Sequence, residues 1–117
     1  MATSLKKVET IVRPEKVNGV KDALAKAGYR GLTAVNVKGR GRQMGLEFDL
    51  RGRKFRVDLI PKCKLELVVR EEDVDRVIKV TLKSAKTGEM GDGMIFVTNV
   101  ERVVGIRTGE EGLDAVS

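Results

Sequence analysis

Val8-Glu9-Thr10-Ile11-Val12-Arg13-Pro14-Glu15-Lys16-Val17 and Leu65-Glu66-Leu67-Val68-Val69-Arg70-Glu71-Glu72-Asp73-Val74 read alike when the chain is slid by 57 residues. Five of the ten pairs are identical: Glu9/Glu66, Val12/Val69, Arg13/Arg70, Glu15/Glu72 and Val17/Val74. Each copy starts as a β-branched, apolar strand and then takes up a helical pattern. Pro14 suits a first-turn position, where its missing N–H leaves nothing unpaired. The stripe Val17, Val20, Leu24 and Ala27 follows, and Gly28 ends it. In the second copy the acids Glu71, Glu72 and Asp73 suit the positive end of a helix dipole. Its stripe is Val74, Val77, Ile78, Leu82 and Ala85, and Gly88 stops it.

A further strand follows each helix, Gly31 to Lys38 and Met94 to Val100. The order β-α-β, long loop, β-α-β predicts a ferredoxin-like α+β fold: an antiparallel sheet with both helices on one face. The other sheet face must be polar or covered, and self-association is one way to cover it.

Two connections stand out. From about Gly39 to Phe55 the chain joins neighbouring strands that a tight turn would serve, and connections of that length are usually functional. Between Lys38 and Arg56 there are seven basic residues (Lys38, Arg40, Arg42, Arg51, Arg53, Lys54, Arg56) against Glu47 and Asp49, a net of +5 out of +6 for the whole chain. The second connection is the glycine-rich stretch Thr87-Gly88-Glu89-Met90-Gly91-Asp92-Gly93, between a helix and a strand.

Composition narrows the function. The 117 residues predict one domain, and with aromatics at 3% and no Trp the core must be Val, Ile, Leu and Ala, which favours an oligomer. No apolar run reaches the ~20 residues of a membrane helix, and the start of the chain lacks a signal-peptide core, so a cytoplasmic protein is expected. Cys63 is the single cysteine and reads as a packing residue. The chain has no His, which removes Ser-His and Cys-His catalysis and the commonest transition-metal ligand. The basic loop raises nucleic-acid binding, but the strands lack the interleaved aromatics on which RNA bases stack.

Among the motifs, Gly39-Arg40-Gly41-Arg42-Gln43 lets backbone amides and guanidinium groups approach an anion. Gly91-Asp92-Gly93 suggests a pocket wall, and Lys62 is a lone cation in a strand that is becoming apolar. Taken singly, each of these also reads as ordinary turn or surface chemistry.

Together the pieces resemble the PII signal-transduction family over nearly the whole chain. The residues that carry the likeness are Val37-Lys38-Gly39-Arg40-Gly41-Arg42-Gln43, Arg51-Gly52 and Val57-Asp58-Leu59-Ile60-Pro61-Lys62. They continue with Thr87-Gly88, Gly91-Asp92-Gly93, Ile95-Phe96-Val97 and Ile106-Arg107-Thr108-Gly109-Glu110. The resemblance implies one PII-like domain over 1–117, with a T-loop at about 39–55, a B-loop at about 87–94 and a C-terminal segment at about 101–117. It implies a homotrimer that binds ATP or ADP between subunits and, in many members, 2-oxoglutarate with Mg-ATP at the base of the T-loop. By that likeness Ile11, Gly39, Gly41, Arg42, Gln43, Lys62, Glu66, Val68, Gly91, Asp92, Gly93 and Arg107 fall on nucleotide-pocket positions. Gln43 and Lys62 would also face 2-oxoglutarate, with Gln43 helping to hold Mg2+.

The same likeness makes Arg51 the T-loop tip that, in GlnK-type members, enters the pore of an ammonium transporter. The implied protein is a nitrogen regulator of other proteins and not an enzyme. A divergent regulator with an altered or lost effector response is the alternative; a basic nucleic-acid-binding domain and a nucleotide hydrolase come behind it. Four positions depart from the family pattern. Met94 and Gly105 stand where Lys and Arg usually contact nucleotide phosphates, and losing two such charge-assisted bonds predicts phosphate binding weaker by on the order of 10²–10⁴-fold. Phe55 replaces the modifiable Tyr, and Arg53 stands where some relatives carry a phosphorylated Ser, so switching by ligand alone is expected.

Overall fold

In the computed structural model, which describes residues 4–41 and 44–112, the two repeated strands lie side by side. Strand β1 (Leu5–Val12) pairs antiparallel with β5 (Ile60–Arg70), setting Glu9 opposite Glu66. The sequence repeat is thus a structural one, with its two copies facing each other across the sheet centre. Strand β6 (Gly93–Val100) flanks β1, and β2 (Thr33–Gly39) flanks β5, giving the order β2-β5-β1-β6. This is the expected ferredoxin-like α+β arrangement.

Alternation along β1 and β5 sorts the side chains. Val8, Thr10 and Val12 of β1, with Cys63, Leu65, Leu67 and Val69 of β5, are buried. Helices α1 (Val17–Lys26) and α2 (Val74–Ala85) cover them with Val20, Leu24, Val77 and Ala85. Full burial of one such aliphatic is worth about 1.5–3 kcal/mol, so this single layer holds most of the stabilisation. A short 3-10 turn precedes each helix, Pro14–Lys16 and Glu71–Asp73. Tyr29, just past α1, donates its hydroxyl to Asp73 at 3.0 Å, which ties the end of one helix to the start of the other. Burial and the Asp73 carboxylate raise the Tyr29 pKa.

Two expectations need correction. Leu82 is not a core residue: it is 52% exposed, and Thr81 is buried in its stead. The face of α2 that meets the sheet runs Val77, Thr81, Ala85, an i, i+4 row, so Leu82 is turned about 100° away from it. The helix also ends at Ala85, before Gly88.

The second correction concerns the long connection, most of which is a regular hairpin. Strands β3 (Leu46–Leu50) and β4 (Arg53–Val57) pair antiparallel, with Phe48 opposite Phe55 and Leu46 opposite Val57. Arg51 and Gly52 form the two-residue turn with φ of 53° and 79°. Positive φ at both positions is the type I′ geometry whose twist matches a hairpin, and a glycine in the second position removes half of its steric cost. The ribbon joins no strand of the main sheet, and the chain measures 63 × 26 × 21 Å. The open face of the main sheet is polar at its centre, where Lys7–Glu9 (3.2 Å) and Lys64–Glu66 (3.0 Å) form ion pairs.

Candidate functional site

Where β1 ends, β2 ends and β5 begins, antiparallel register gathers residues far apart in sequence. Ile11 faces Lys64 on one side and Met94 on the other, while Gly39 faces Ile60. The result is a cleft of about 340 Å³ at the base of the ribbon, walled by Ile11, Gly39, Arg40, Gly41, Ile60, Lys62, Met90, Gly91, Gly93 and Met94. The Thr87–Gly93 turn closes one side.

Cations hold that turn in place by its carbonyls. Lys62 donates its Nζ to the carbonyl of Gly91, and Arg13 donates to the carbonyl of Met90 at 2.7 Å. Burial lowers the Lys62 pKa, and the neighbouring Arg13 guanidinium lowers it further. Arg13 is paired with the Asp92 carboxylate, whereas Lys62 forms no ion pair among the described residues, so Lys62 is the cation of the lining that favours an anion.

Asp92 is the turn's anchor. Its carboxylate accepts from the Thr87 hydroxyl, from the backbone N–H groups of Thr87 (2.8 Å) and Gly88 (2.9 Å), and from Arg13 Nε (3.1 Å). The two Thr87 bonds are the main reason its carboxyl lies well below the usual carboxylate range. With the folded value depressed, the stabilisation Asp92 supplies is complete above the unfolded carboxylate value of about 4 and erodes as pH falls below it toward the folded value. Asp92→Asn keeps one acceptor oxygen and sets an N–H group among donors. The Thr87 and Gly88 amides of that variant should exchange with solvent about tenfold faster at pH 7. Wild-type exchange rates in the variant would rule out Asp92 as the anchor.

The positions read from the sequence divide into groups. Ile11, Gly39, Gly41, Lys62, Gly91 and Gly93 line the cleft, and Asp92 braces its wall from behind. Glu66 and Val68 do not join them; they line a separate hollow of about 260 Å³ with Lys7, Gly31, Leu32, Thr33 and Leu67. Arg107 lies in neither, on an exposed turn of the C-terminal segment closed by the Val104–Glu111 bridge. Arg42 and Gln43 fall outside the described residues, and so does the Mg2+ role assigned to Gln43. Arg51 is the ribbon tip.

Sequence reasoning missed Arg13. The one signal was its identity with Arg70 in the repeat, yet Arg70 is exposed and only the first copy meets the glycine-rich turn. Two other cations of the long connection have partners of their own: Arg40 pairs with Asp58 at 3.1 Å and Arg56 with Glu47 at 3.5 Å. Met94 is 62% exposed at the cleft wall.

Comparison with known proteins agrees on one family. The family profile described as nitrogen regulatory protein P-II matches residues 5–110. Nitrogen regulatory protein P-II 2 of Methanothermobacter thermautotrophicus is 53% identical over 112 residues, spanning 96% of this chain and 97% of the relative. Nitrogen regulatory protein P-II of Mesorhizobium japonicum is 48% identical over 112 residues, spanning 96% of this chain and 100% of that protein. The crystal structure of Arabidopsis thaliana PII bound to citrate superposes with a TM-score of 0.80 at 37% identity, covering 98% of this chain and 92% of that one.

Proposed function

The chain belongs to the nitrogen regulatory protein P-II family, and from that membership we propose that it is a cytoplasmic signal transducer, not an enzyme, which binds ATP or ADP and regulates an ammonium transporter through its ribbon. The observation that carries this reading is the shared backbone of cleft and ribbon. Gly39 and Gly41 wall the cleft on the chain ahead of β3, while Ile60 and Lys62 wall it on β5, just after β4. A ligand seated there biases the conformations of the ribbon's two roots, and thereby the population of partner-binding states.

The division of the site residues supports a homotrimer with intersubunit sites. Glu66, Val68 and Arg107 do not line the cleft of their own chain. On this reading the cleft of one subunit is completed by residues of the next. Lys62, with Gln43, suits a carboxylate of 2-oxoglutarate as a second effector. The Arabidopsis thaliana PII is bound to citrate, which is likewise a small polycarboxylate. Mg2+ would arrive with ATP, and Gln43 would help to hold it.

A second reading, a divergent regulator with an altered nucleotide response, is favoured by Met94 at the cleft wall. Calorimetry with ATP, ADP and 2-oxoglutarate, each with Mg2+, separates the two. Nucleotide binding that strengthens or weakens with 2-oxoglutarate supports the sensor; no nucleotide binding up to millimolar concentration sinks it. Arg51→Ala is expected to abolish transporter inhibition with nucleotide affinity unchanged, and unchanged inhibition would point to another target.

A further inference from the structure

We infer that the groove between α2 and the edge strand β6 is a small-molecule site, separate from the cleft at the ribbon base, and that it takes a medium-chain fatty carboxylate. Strand alternation puts the two sites on opposite sides of the sheet. Lys62 and Met94 of the cleft alternate with Cys63 and Ile95, which face the helices, and the groove is built on that helix-covered side.

Incomplete coverage of the sheet creates the groove. Two helices lie on four strands, and α2 packs over β1 rather than over the edge strand β6. A hollow of about 540 Å³ is left between α2 and β6, well within the size range of small-molecule pockets. Ile78 and Leu82 form one wall and Ile95 and Val97 the other, with Thr10 of β1 in the lining. Leu82 and Val97 stand exposed here although both are apolar.

Two polar features interrupt that lining. Thr81 is 1% exposed, and its hydroxyl has no hydrogen-bond partner among the described residues. Buried hydroxyls are ordinarily satisfied, and leaving one unpaired is costly, so an oxygen acceptor entering the groove gains by meeting this O–H. At the end nearest the glycine-rich turn stands Lys86, which is exposed and forms no ion pair among the described residues. Asp92 lines the same end, but Arg13 and Thr87 already hold its carboxylate, so the unanswered charge there is positive.

Dimensions and charge choose the occupant. The helix rises about 12 Å from Ile78 to Lys86 and β6 runs about 13 Å from Gly93 to Val97, a slot that fits an acyl chain of about ten carbons. An aliphatic side chain from a second copy would fill the walls but leave the Thr81 hydroxyl and Lys86 unanswered. A fatty carboxylate meets all three demands. Its chain lies along the apolar walls, and its head accepts from Thr81 Oγ1 and from Lys86 Nζ, whose long stem swings in over the end of the groove.

The test uses the full-length protein and sodium decanoate below its micelle concentration. Calorimetry is expected to show one molecule per chain with a dissociation constant on the order of 100 µM. Octanoate should bind about tenfold more weakly, because two buried methylenes are lost. Thr81→Val removes the hydroxyl at nearly constant shape. It should weaken decanoate binding by about tenfold while raising the thermal midpoint of the free protein, so that lost binding is not lost folding. Leu82→Asp changes an exposed position and sets a carboxylate among the tail contacts; it should abolish binding, with circular dichroism unchanged. Lys62→Ala, in the cleft, should bind decanoate as the wild type does. The inference is overturned if the wild type does not bind, if several molecules bind per chain, or if octanoate binds as tightly as decanoate. Wild-type affinity in both Thr81→Val and Leu82→Asp overturns it too. Loss of binding in Lys62→Ala alone would place the carboxylate in the cleft, with the same consequence. A wild type that does not bind, together with altered sedimentation of free Leu82→Asp, would assign the groove to a second copy.

Discussion

Met94→Lys combined with Gly105→Arg is expected to raise ATP affinity by on the order of 10²–10⁴-fold, because each restores a charge-assisted hydrogen bond worth about 1.5–3 kcal/mol. The structure provides room for the first change, and the backbone at the second position accepts a side chain. Met94 lies opposite Ile11 on β6, is 62% exposed and walls the cleft, so an unbranched lysine follows the same path along that wall. Gly105 is half-buried in the C-terminal turn, its N–H bonded to the carbonyl of Glu110, and its backbone φ is not in the positive range that would resist a side chain. The gain must grow with phosphate number: large for ATP, smaller for ADP, slight for AMP. Calorimetry across that series is decisive. An equal gain for all three nucleotides would show that the new side chains touch adenosine or reshape the cleft, and the phosphate argument would fall. Met94→Lys alone should yield about half of the free-energy gain, since the two positions sit on separate segments.

The largest effect on stability is expected from Gly93→Ala. A Cβ built there lies 1.7 Å from the carbonyl oxygen of Ile11 and 2.8 Å from the Ile11 carbonyl carbon, and the backbone φ is +111°. Both obstacles are backbone, so no rotamer relieves them. Gly93 opens β6 opposite Val12, a core residue of β1. Either the strand pair parts at that end or the turn moves out of the cleft. The expected cost is about 3 kcal/mol or more, which for a chain of this size lowers the thermal midpoint by roughly 10 °C or more. Gly19→Ala in α1 is the control: nothing lies within 4 Å of its added Cβ, and the helix should gain about 0.5–1 kcal/mol. Matching midpoints for Gly93→Ala and wild type would mean that Ile11 and β6 separate without cost, contrary to the packing described.

Gly93 and Met94 adjoin in sequence but answer different demands: packing of β6 on β1 requires Gly93, whereas the Met94 side chain stands exposed at the cleft wall.

Much of this was legible in the amino-acid order. The slid repeat places β1 and β5, the two apolar stripes place α1 and α2, and Thr87–Gly93 marks a turn at a pocket. Such features are local, with periods of two or 3.6 residues read over a dozen positions. The ribbon was less so, although Leu46, Phe48 and Leu50 alternate before Arg51-Gly52 as a hairpin should. Glycines and arginines around that alternation disguised it as an irregular loop. Leu82 was misplaced because one apolar residue too many fits a broad stripe, and only contact with the sheet says which edge of the stripe is inside.

What the sequence determined by itself, then, is the ferredoxin-like order of elements, the long basic connection between its halves and the glycine-rich turn. Tertiary structure alone decided which of the marked residues meet. Register sets Ile11 between Lys64 and Met94, and it sends Glu66 and Val68 to a different hollow. It also makes the Asp92 carboxylate an anchor of its turn, because Arg13, 79 residues away, reaches it. Strand pairing joins segments by hydrogen bonds whose partners no local period encodes, and a one-residue slip would have moved every one of these side chains to the opposite face.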